Sequence, residues 1–320
     1  MNLPPPRRVV LDTDPGIDDA LAILLGLASP EIDLAALSVV HGNCTLAEAV
    51  TNALAVAGLG GRPDLTVAAG CDRPLLRPPI TAHETHGTSG LGDARLPRSA
   101  AQPVDEHAVD LLIREIMAAP GEVTLVAVGP LTNVALALRK EPRLARAVRE
   151  CIFMGGAFRA EGNVTPLAEF NVFADPHAAQ IVFSSGMPLT IMPWDITRDV
   201  RLTQADVDRL LARGGPIPRF IAEATRHYLE FHLREFGWAG CSINDPAALA
   251  LLWWPELART RDLYVEVEVA SELTLGKTVG DVTGKHGRAP NARLVEAFDA
   301  TEFIARFLRR MEDLADRLAG

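Results

Sequence analysis

The sequence predicts an α/β protein with a doubly wound, mostly parallel central sheet and a helical insertion over the ligand edge. Three observations point there. Short apolar runs alternate with helical patterns from Arg7 to Met192, as in a parallel sheet covered by helices. Four aspartates crowd into the eight positions that follow the first run, Asp12-Thr13-Asp14-Pro15-Gly16-Ile17-Asp18-Asp19. Past Trp194 the pattern turns mainly helical, and no repeat or long linker divides the 320 residues, so one domain over 1–320 is expected.

Taken in order, Arg7 to Asp12 reads as a buried strand and Pro15-Gly16 as a tight turn. Ile17 to Ala28 is then a helix with Asp18 and Asp19 in its first turn, where the helix dipole favours anions. Ile32 to Val40, Leu65 to Ala69 and Val123 to Val128 read as strands, with Leu46 to Leu59 and Val109 to Ala118 as covering helices. Leu131 to Arg139, Val148 to Met154, Pro176 to Phe183 and Pro188 to Met192 extend the alternation. His83 to Gly92 and Gly155 to Asn171 lack periodicity and read as loops over the ligand edge. Helices follow at Gln204 to Leu211, Ile217 to Phe236 and Pro246 to Trp254, then a β-rich stretch around Tyr264 to Thr278. A last amphipathic helix is expected from Ala292 to Leu318, packing Phe303, Phe307 and Leu308 against the core.

The hydrophobic share of 48% suits a large core. A net charge of -10, from 31 basic and 41 acidic residues, disfavours nucleic acid and suits a small substrate or a cation. Cys44, Cys71, Cys151 and Cys241 are scattered, which indicates neither a zinc site nor a disulfide framework. The run Met1 to Arg8 lacks the apolar stretch of a secretory signal, and no segment approaches the ~20 apolar residues of a membrane span. A reducing cytoplasm and no membrane partner are therefore expected.

So much negative charge at the carboxyl end of a strand calls for a cation, and that sheet edge is where ligands bind. His41-Gly42-Asn43, Gly129-Pro130-Leu131-Thr132-Asn133 and Met154-Gly155-Gly156 each follow a strand-like run and would lie along the same edge. Glu161-Gly162-Asn163, Ala168-Glu169-Phe170-Asn171 and Asn244-Asp245-Pro246 add carboxylates and amides, the hard oxygen ligands and hydroxyl partners that calcium and a sugar want. An EF-hand is excluded by the spacing of these ligands. A phosphatase of the haloacid dehalogenase type would use Asp12 as nucleophile and Asp14 as acid, but Pro15 and the lack of a convincing late acidic pair oppose it.

On these residues the chain resembles the calcium-dependent nucleoside hydrolases of the inosine-uridine type. The resemblance runs from about Val9 onward and is carried by Asp12 to Ala20, His86-Gly87-Thr88-Ser89-Gly90, Gly129 to Asn133, Met154-Gly155-Gly156 and Glu169-Phe170-Asn171. It implies the nucleoside hydrolase fold and cleavage of ribonucleosides to ribose and free base. It further implies a calcium ion held by Asp14, Asp19, the main-chain carbonyl of Val128 and Asp245, with ribose hydroxyls and a water completing its shell. Asp14 would double as the general base on that water. Asp18, Asn43, Asn163, Glu169 and Asn171 would grip the ribose, Met154 would lie against the sugar, and His86 and Phe170 would stand near the base. Relatives are commonly dimers or tetramers, which makes a homodimer or homotetramer the expectation.

Other residues read more simply as structural. Asn133 suits a turn or cap, Asp12 a supporting position behind the ligands, Trp253-Trp254 the core, and His41 either role. Trp238 is a candidate for stacking on the nucleobase. Many relatives carry a histidine just before the aspartate that aligns with Asp245, and here that position is Asn244, whose amide can donate a hydrogen bond but cannot deliver a proton. General acid help is typically worth ~100- to 10,000-fold. His83, His86, His232 and Arg234 remain as groups that could reach the base, His86 foremost because it lies in a matching motif. The competing reading is a calcium-dependent nucleoside-binding protein with little turnover.

Overall fold

The computed structural model describes residues 5–319. Met1 to Pro4, part of the run read as lacking a signal, and Gly320 lie outside the described residues. The main sheet has eight strands: β1 (Arg7–Thr13), β2 (Ile32–Val39), β3 (Thr66–Ala69), β4 (Thr124–Ala127), β5 (Glu150–Met154), β6 (Leu189–Met192), β9 (Ala258–Leu263) and β12 (Ala292–Phe298). Two ribbons complete the set, β7 (Arg201–Leu202) with β8 (Cys241–Ser242), and β10 (Val265–Val267) with β11 (Thr278–Gly280).

Strand order in the main sheet is β3-β2-β1-β4-β5-β6-β12-β9, parallel throughout except for the antiparallel β12 and β9 pair. The expected doubly wound α/β architecture is therefore what forms. The chain winds outward from β1 to β3, then returns to the other side of β1 with β4. This reversal opens a crevice outside the carboxyl ends of β1 and β4, the position where open α/β sheets bind ligands.

Side-chain alternation explains why both faces are covered. Val9 and Leu11 of β1 enter one apolar cluster with the helices Ile17–Ala28, Leu46–Leu59 and Ala300–Ala319. Val10, between them, enters the cluster on the other face with Ala108–Ala118, Thr132–Lys140 and Pro176–Phe183. A strand buried on both sides has to be apolar at every position, and Val9-Val10-Leu11 is.

Two sequence expectations need correction. Ala292 to Phe298 is not the start of the last helix but a strand, β12, paired with β6 and β9. The helix begins at Ala300, where the Asp299 carboxylate accepts from the Glu302 backbone N–H at 3.0 Å and caps its first turn. The helix expected over Pro246 to Trp254 instead spans Asn244–Ala250, with turns beyond. Within the two expected loops, His83–His86 and Phe170–Ala174 are short helices.

Candidate active site

The acid-rich turn is built by Asp19. As the third residue of its helix it turns back onto the segment before it, accepting from Thr13 Oγ1 at 2.6 Å, the Asp14 backbone N–H at 3.1 Å and the Gly16 backbone N–H at 3.0 Å. Asn43, arriving from the end of β2, joins the same knot. Its Nδ2 donates to Asp19 Oδ2 at 2.8 Å and its backbone N–H to Asp14 Oδ2 at 2.7 Å. The glycines beside Asp14 leave it room: a Cβ on Gly42 would lie 2.0 Å from Asp14 Oδ2, and one on Gly129 2.4 Å from Oδ1. His41-Gly42-Asn43 and Gly129-Pro130 contain glycine because the carboxylate is clamped between their backbones.

Asp18, Asp19 and Asp245 bring carboxylate oxygens within 4.8 Å of one another. Burial, and then the neighbouring carboxylates, push the Asp14 and Asp245 carboxyls well above their usual range; Asp19 rises for the same reasons, and Asp18 rises through burial against the hydrogen bonds it accepts from Asn244. Asp14 Oδ1 is buried without a hydrogen-bond partner. The adjoining cavity, about 500 Å³, has no lysine or arginine among its described lining residues. Buried like charges with no basic partner and an orphaned oxygen fit a hard divalent cation.

Further polar residues converge on the cavity from β4, β5 and the 155–171 segment. Asn171 Nδ2 donates to the Val128 carbonyl at 2.7 Å and to the Met154 carbonyl at 3.1 Å, which ties the ends of β4 and β5 together. The Val128 carbonyl keeps a second lone pair for a further partner. Glu169 caps the helix after it, accepting from the backbone N–H groups of Asn171 at 2.8 Å and Val172 at 3.2 Å, and also holds Gly156 N–H at 2.8 Å. Burial raises its carboxyl to about 7. Asn163 Oδ1 accepts from the Phe170 N–H at 2.9 Å. Asp18, Asn43, Val128, Met154, Asn163, Glu169, Phe170, Asn171, Asn244 and Asp245 all line the one cavity, as does His86.

At the other end, Asn244 Nδ2 donates to Asp18 Oδ2 at 2.8 Å, so the amide holds a carboxylate in place. His86 Nδ1 accepts the Ile17 backbone N–H at 3.1 Å, which puts its ring proton on Nε2, and burial lowers its pKa to about 4. A neutral imidazole is a weak acid. His232 is held by the Tyr228 carbonyl at Nδ1, 2.8 Å away, and by Ser242 Oγ at Nε2, 2.9 Å away.

Trp238 does not line the cavity. It stacks on Phe236 at 4.5 Å, with the Arg201 guanidinium 4.0 Å from its ring centre. Arg234 is also absent from the lining and pairs with Glu235 at 2.8 Å, whereas His83 lines the mouth and bonds Glu48 at 3.2 Å. The aromatic wall comes instead from Trp194, Tyr228, Phe231 and Phe236. Sequence reasoning placed base selection in the two loops and the helices near Tyr228 to Trp238 but singled out none of these four side chains, although Tyr228, Phe231, His232 and Glu235 recur at the three- and four-residue spacing of one helix face.

Asp12 is locked away from the cavity by Ser38 Oγ and by Asn133 Nδ2, the latter at 2.9 Å, so it is not placed as a nucleophile. Asn133 Oδ1 also accepts from the Cys71 N–H at 2.9 Å. His41 bonds Thr132 and lies outside the cavity lining, and Trp254 packs in the core against Phe303.

Comparison with known proteins agrees with this geometry. The family model for the inosine-uridine preferring nucleoside hydrolases matches residues 9–305. Fold, acidic floor and family model together define an N-glycosidase. The chain is 40% identical over 312 residues to the pyrimidine-specific ribonucleoside hydrolase RihA of Citrobacter koseri, covering 97% of each. Among solved structures, a purine-preferring ribonucleoside hydrolase from Gardnerella vaginalis matches with a TM-score of 0.93 at 32% identity, over 97% of this chain and 100% of that one. A plant nucleoside hydrolase matches with a TM-score of 0.90 at 33% identity, over 96% and 99%. The chain belongs to the inosine-uridine preferring nucleoside hydrolase family.

Proposed function

We propose that this protein hydrolyses the N-glycosidic bond of ribonucleosides, pyrimidine ribonucleosides foremost, with calcium as its resident cation. The observation that carries the reading is the cluster of buried carboxylates at the carboxyl ends of β1 and β4, with Asp14 Oδ1 unpartnered beside a cavity of nucleoside size. Similarity to the Citrobacter koseri enzyme supports the pyrimidine preference. Asp14, Asp19, Asp245 and the Val128 carbonyl would hold the ion. When bound, calcium would supply Lewis acidity that eases loss of a proton from water and draws the ribose hydroxyls to the floor.

The chain's own residues supply the rest. Asp14 takes the proton of the attacking water. Asp18, Asn43, Asn163, Glu169 and Asn171 fix the ribose over the floor, and Met154 and Phe170 exclude water around it. As the C1′–N bond lengthens, positive charge builds on the ribose, and the surrounding carboxylates favour that state over the neutral substrate. Asn244 keeps Asp18 oriented, and His86, neutral and bonded to Ile17, positions the helix start rather than protonating the base.

The test is ribose release by calcium-loaded protein from uridine, inosine and p-nitrophenyl riboside, with Asp14→Ala as control. Uridine cleaved faster than inosine supports the proposal, and inosine cleaved faster reverses the base preference. No release from any of the three replaces turnover by binding alone. We further place the enzyme in the reducing cytoplasm, in keeping with its four unpaired cysteines, and as a homo-oligomer, which sedimentation at micromolar concentration tests.

A further inference from the structure

Outside the cavity, a short hydrogen-bonded chain joins three segments that each carry part of the site. His41 lies just past β2, and its neighbours hold Asp14: Gly42 packs against the carboxylate and the Asn43 backbone N–H donates to Asp14 Oδ2 at 2.7 Å. Thr132 opens the helix Thr132–Lys140, shortly after the Val128 carbonyl and after Gly129, the other jaw of the clamp. Asp175 ends the helix Phe170–Ala174, which carries Asn171, and caps the next helix by accepting from the Ala178 N–H at 3.0 Å. The three side chains meet. His41 Nε2 lies 3.1 Å from Thr132 Oγ1, and Thr132 Oγ1 donates to Asp175 Oδ2 at 2.8 Å. All three residues are buried, and none lines the cavity.

Chemistry places the protons. Asp175 takes three donors, Thr132, the Ala178 N–H and the Leu75 N–H at 2.9 Å, as an ionised carboxylate does. The single hydroxyl proton of Thr132 therefore goes to Asp175, and its oxygen is left to accept from His41 Nε2–H. A polar chain in a dry interior, satisfied at each link, rigidifies what it joins.

We propose that the His41–Thr132–Asp175 chain is a positioning tie for the metal floor: it holds the ends of β2 and β4 and the Phe170–Ala174 helix at the spacing that the Asp14 clamp, the Val128 carbonyl and Asn171 require. It thereby sets calcium affinity and kcat while touching neither ion nor substrate. The inference rests on the nucleosidase reading above and adds three residues that the reading leaves unused. Two contacts carry movement inward. A Cβ on Gly42 would lie 2.9 Å from Pro130, so the two turns that clamp Asp14 are themselves in close approach. Asn171 Nδ2 donates to the Val128 carbonyl at 2.7 Å, so a shift of its helix against β4 reaches that carbonyl directly. Partners behind a metal's ligands commonly govern affinity or activity by about 10- to 100-fold. A displacement of ~1 Å has a similar effect on rate.

The test uses Thr132→Val, which keeps the shape and removes the hydroxyl, and Thr132→Ser, which keeps the hydroxyl. Calcium affinity is measured by titration calorimetry on chelator-treated protein, with kcat and KM for uridine and the melting temperature beside it. We expect Thr132→Val to weaken calcium binding about tenfold and to lower kcat at saturating calcium about 10- to 100-fold, with KM changed less. Thr132→Ser should restore both. Loss of melting temperature alone in Thr132→Val, with calcium affinity and kcat those of the parent, overturns the tie and leaves a helix cap. Equal loss in both variants overturns it too, because the hydroxyl is then not the cause. If Thr132→Val does not fold, His41→Leu, set against His41→Gln, which keeps a donor, decides on the same readouts. A parent that binds calcium but releases ribose from no nucleoside overturns the nucleosidase reading, and the calcium affinities then judge the tie by themselves. A parent that binds no calcium overturns the resident cation and the tie with it.

Discussion

Asp12 and Asp14 are two residues apart on one strand end and do different work. Each keeps its Oδ1 buried without a partner, but Asp14 is clamped between Gly42 and Gly129 with the Asp18 and Asp19 carboxylates near it, whereas Asp12 is held by Ser38 and Asn133 away from the cavity. Gly129→Ala, which drives a methyl into Asp14, should lower kcat by about 100-fold or more while the protein stays folded, checked by ribose release beside circular dichroism. For Asp12 the sign follows from linkage. Its folded pKa of about 7 lies above the unfolded value of ~3.9, so the folded state keeps the proton longer. The stability penalty is absent below the unfolded pKa, grows through the interval between the two, and is complete above the folded one. Asp12→Asn should therefore flatten the fall in urea midpoint between pH 5 and pH 7.5, and an unchanged slope would assign that pH dependence to other groups. Asn133→Ala, which takes one of two donors from Asp12 Oδ2 and leaves the Cys71 N–H without its acceptor, should cost about 1–3 kcal/mol in urea unfolding.

At the scale of elements, apolar period and turn chemistry made most of the sheet legible. Leu46–Leu59, Pro176–Phe183 and Gln204–Leu211 fall where the sequence puts them because their apolar spacing, and Thr45, Asp175 and Thr203 as caps, agree. β12 was not legible, because Leu294, Val295 and Phe298 fit a helix stripe as well as a strand and no glycine or proline separates them from the helix that follows. The Asp299-to-Glu302 cap was the signal that would have set the boundary. In the site, the strand-end motifs were readable since each is a polar cluster after an apolar run. The aromatic wall was not, since Trp194 and the face of Pro216–Phe236 meet only through tertiary packing. Phe231→Ala, on that face, should raise KM for uridine severalfold with little loss of kcat, because it truncates a wall and leaves the floor intact.

Across the whole molecule, the cost of gathering Asp14, Asp18, Asp19 and Asp245 would be met by the proposed calcium ion, which would link stability to both calcium and pH. Each raised carboxyl favours the folded apo state at low pH and opposes it as pH climbs, while the ion binds only ionised carboxylates. Calcium should thus raise the melting temperature more at pH 8 than at pH 5.5, by an amount near 2.7 kcal/mol of stability at about a hundredfold excess over Kd. Magnesium, smaller and more demanding of octahedral geometry, should do less. The most direct test of the account is ribose release from uridine by chelator-treated protein as calcium is titrated back. The account predicts activity lost on chelation and restored saturably with one ion per chain, and lost beyond recovery in Asp14→Ala. Full turnover with calcium removed would contradict it.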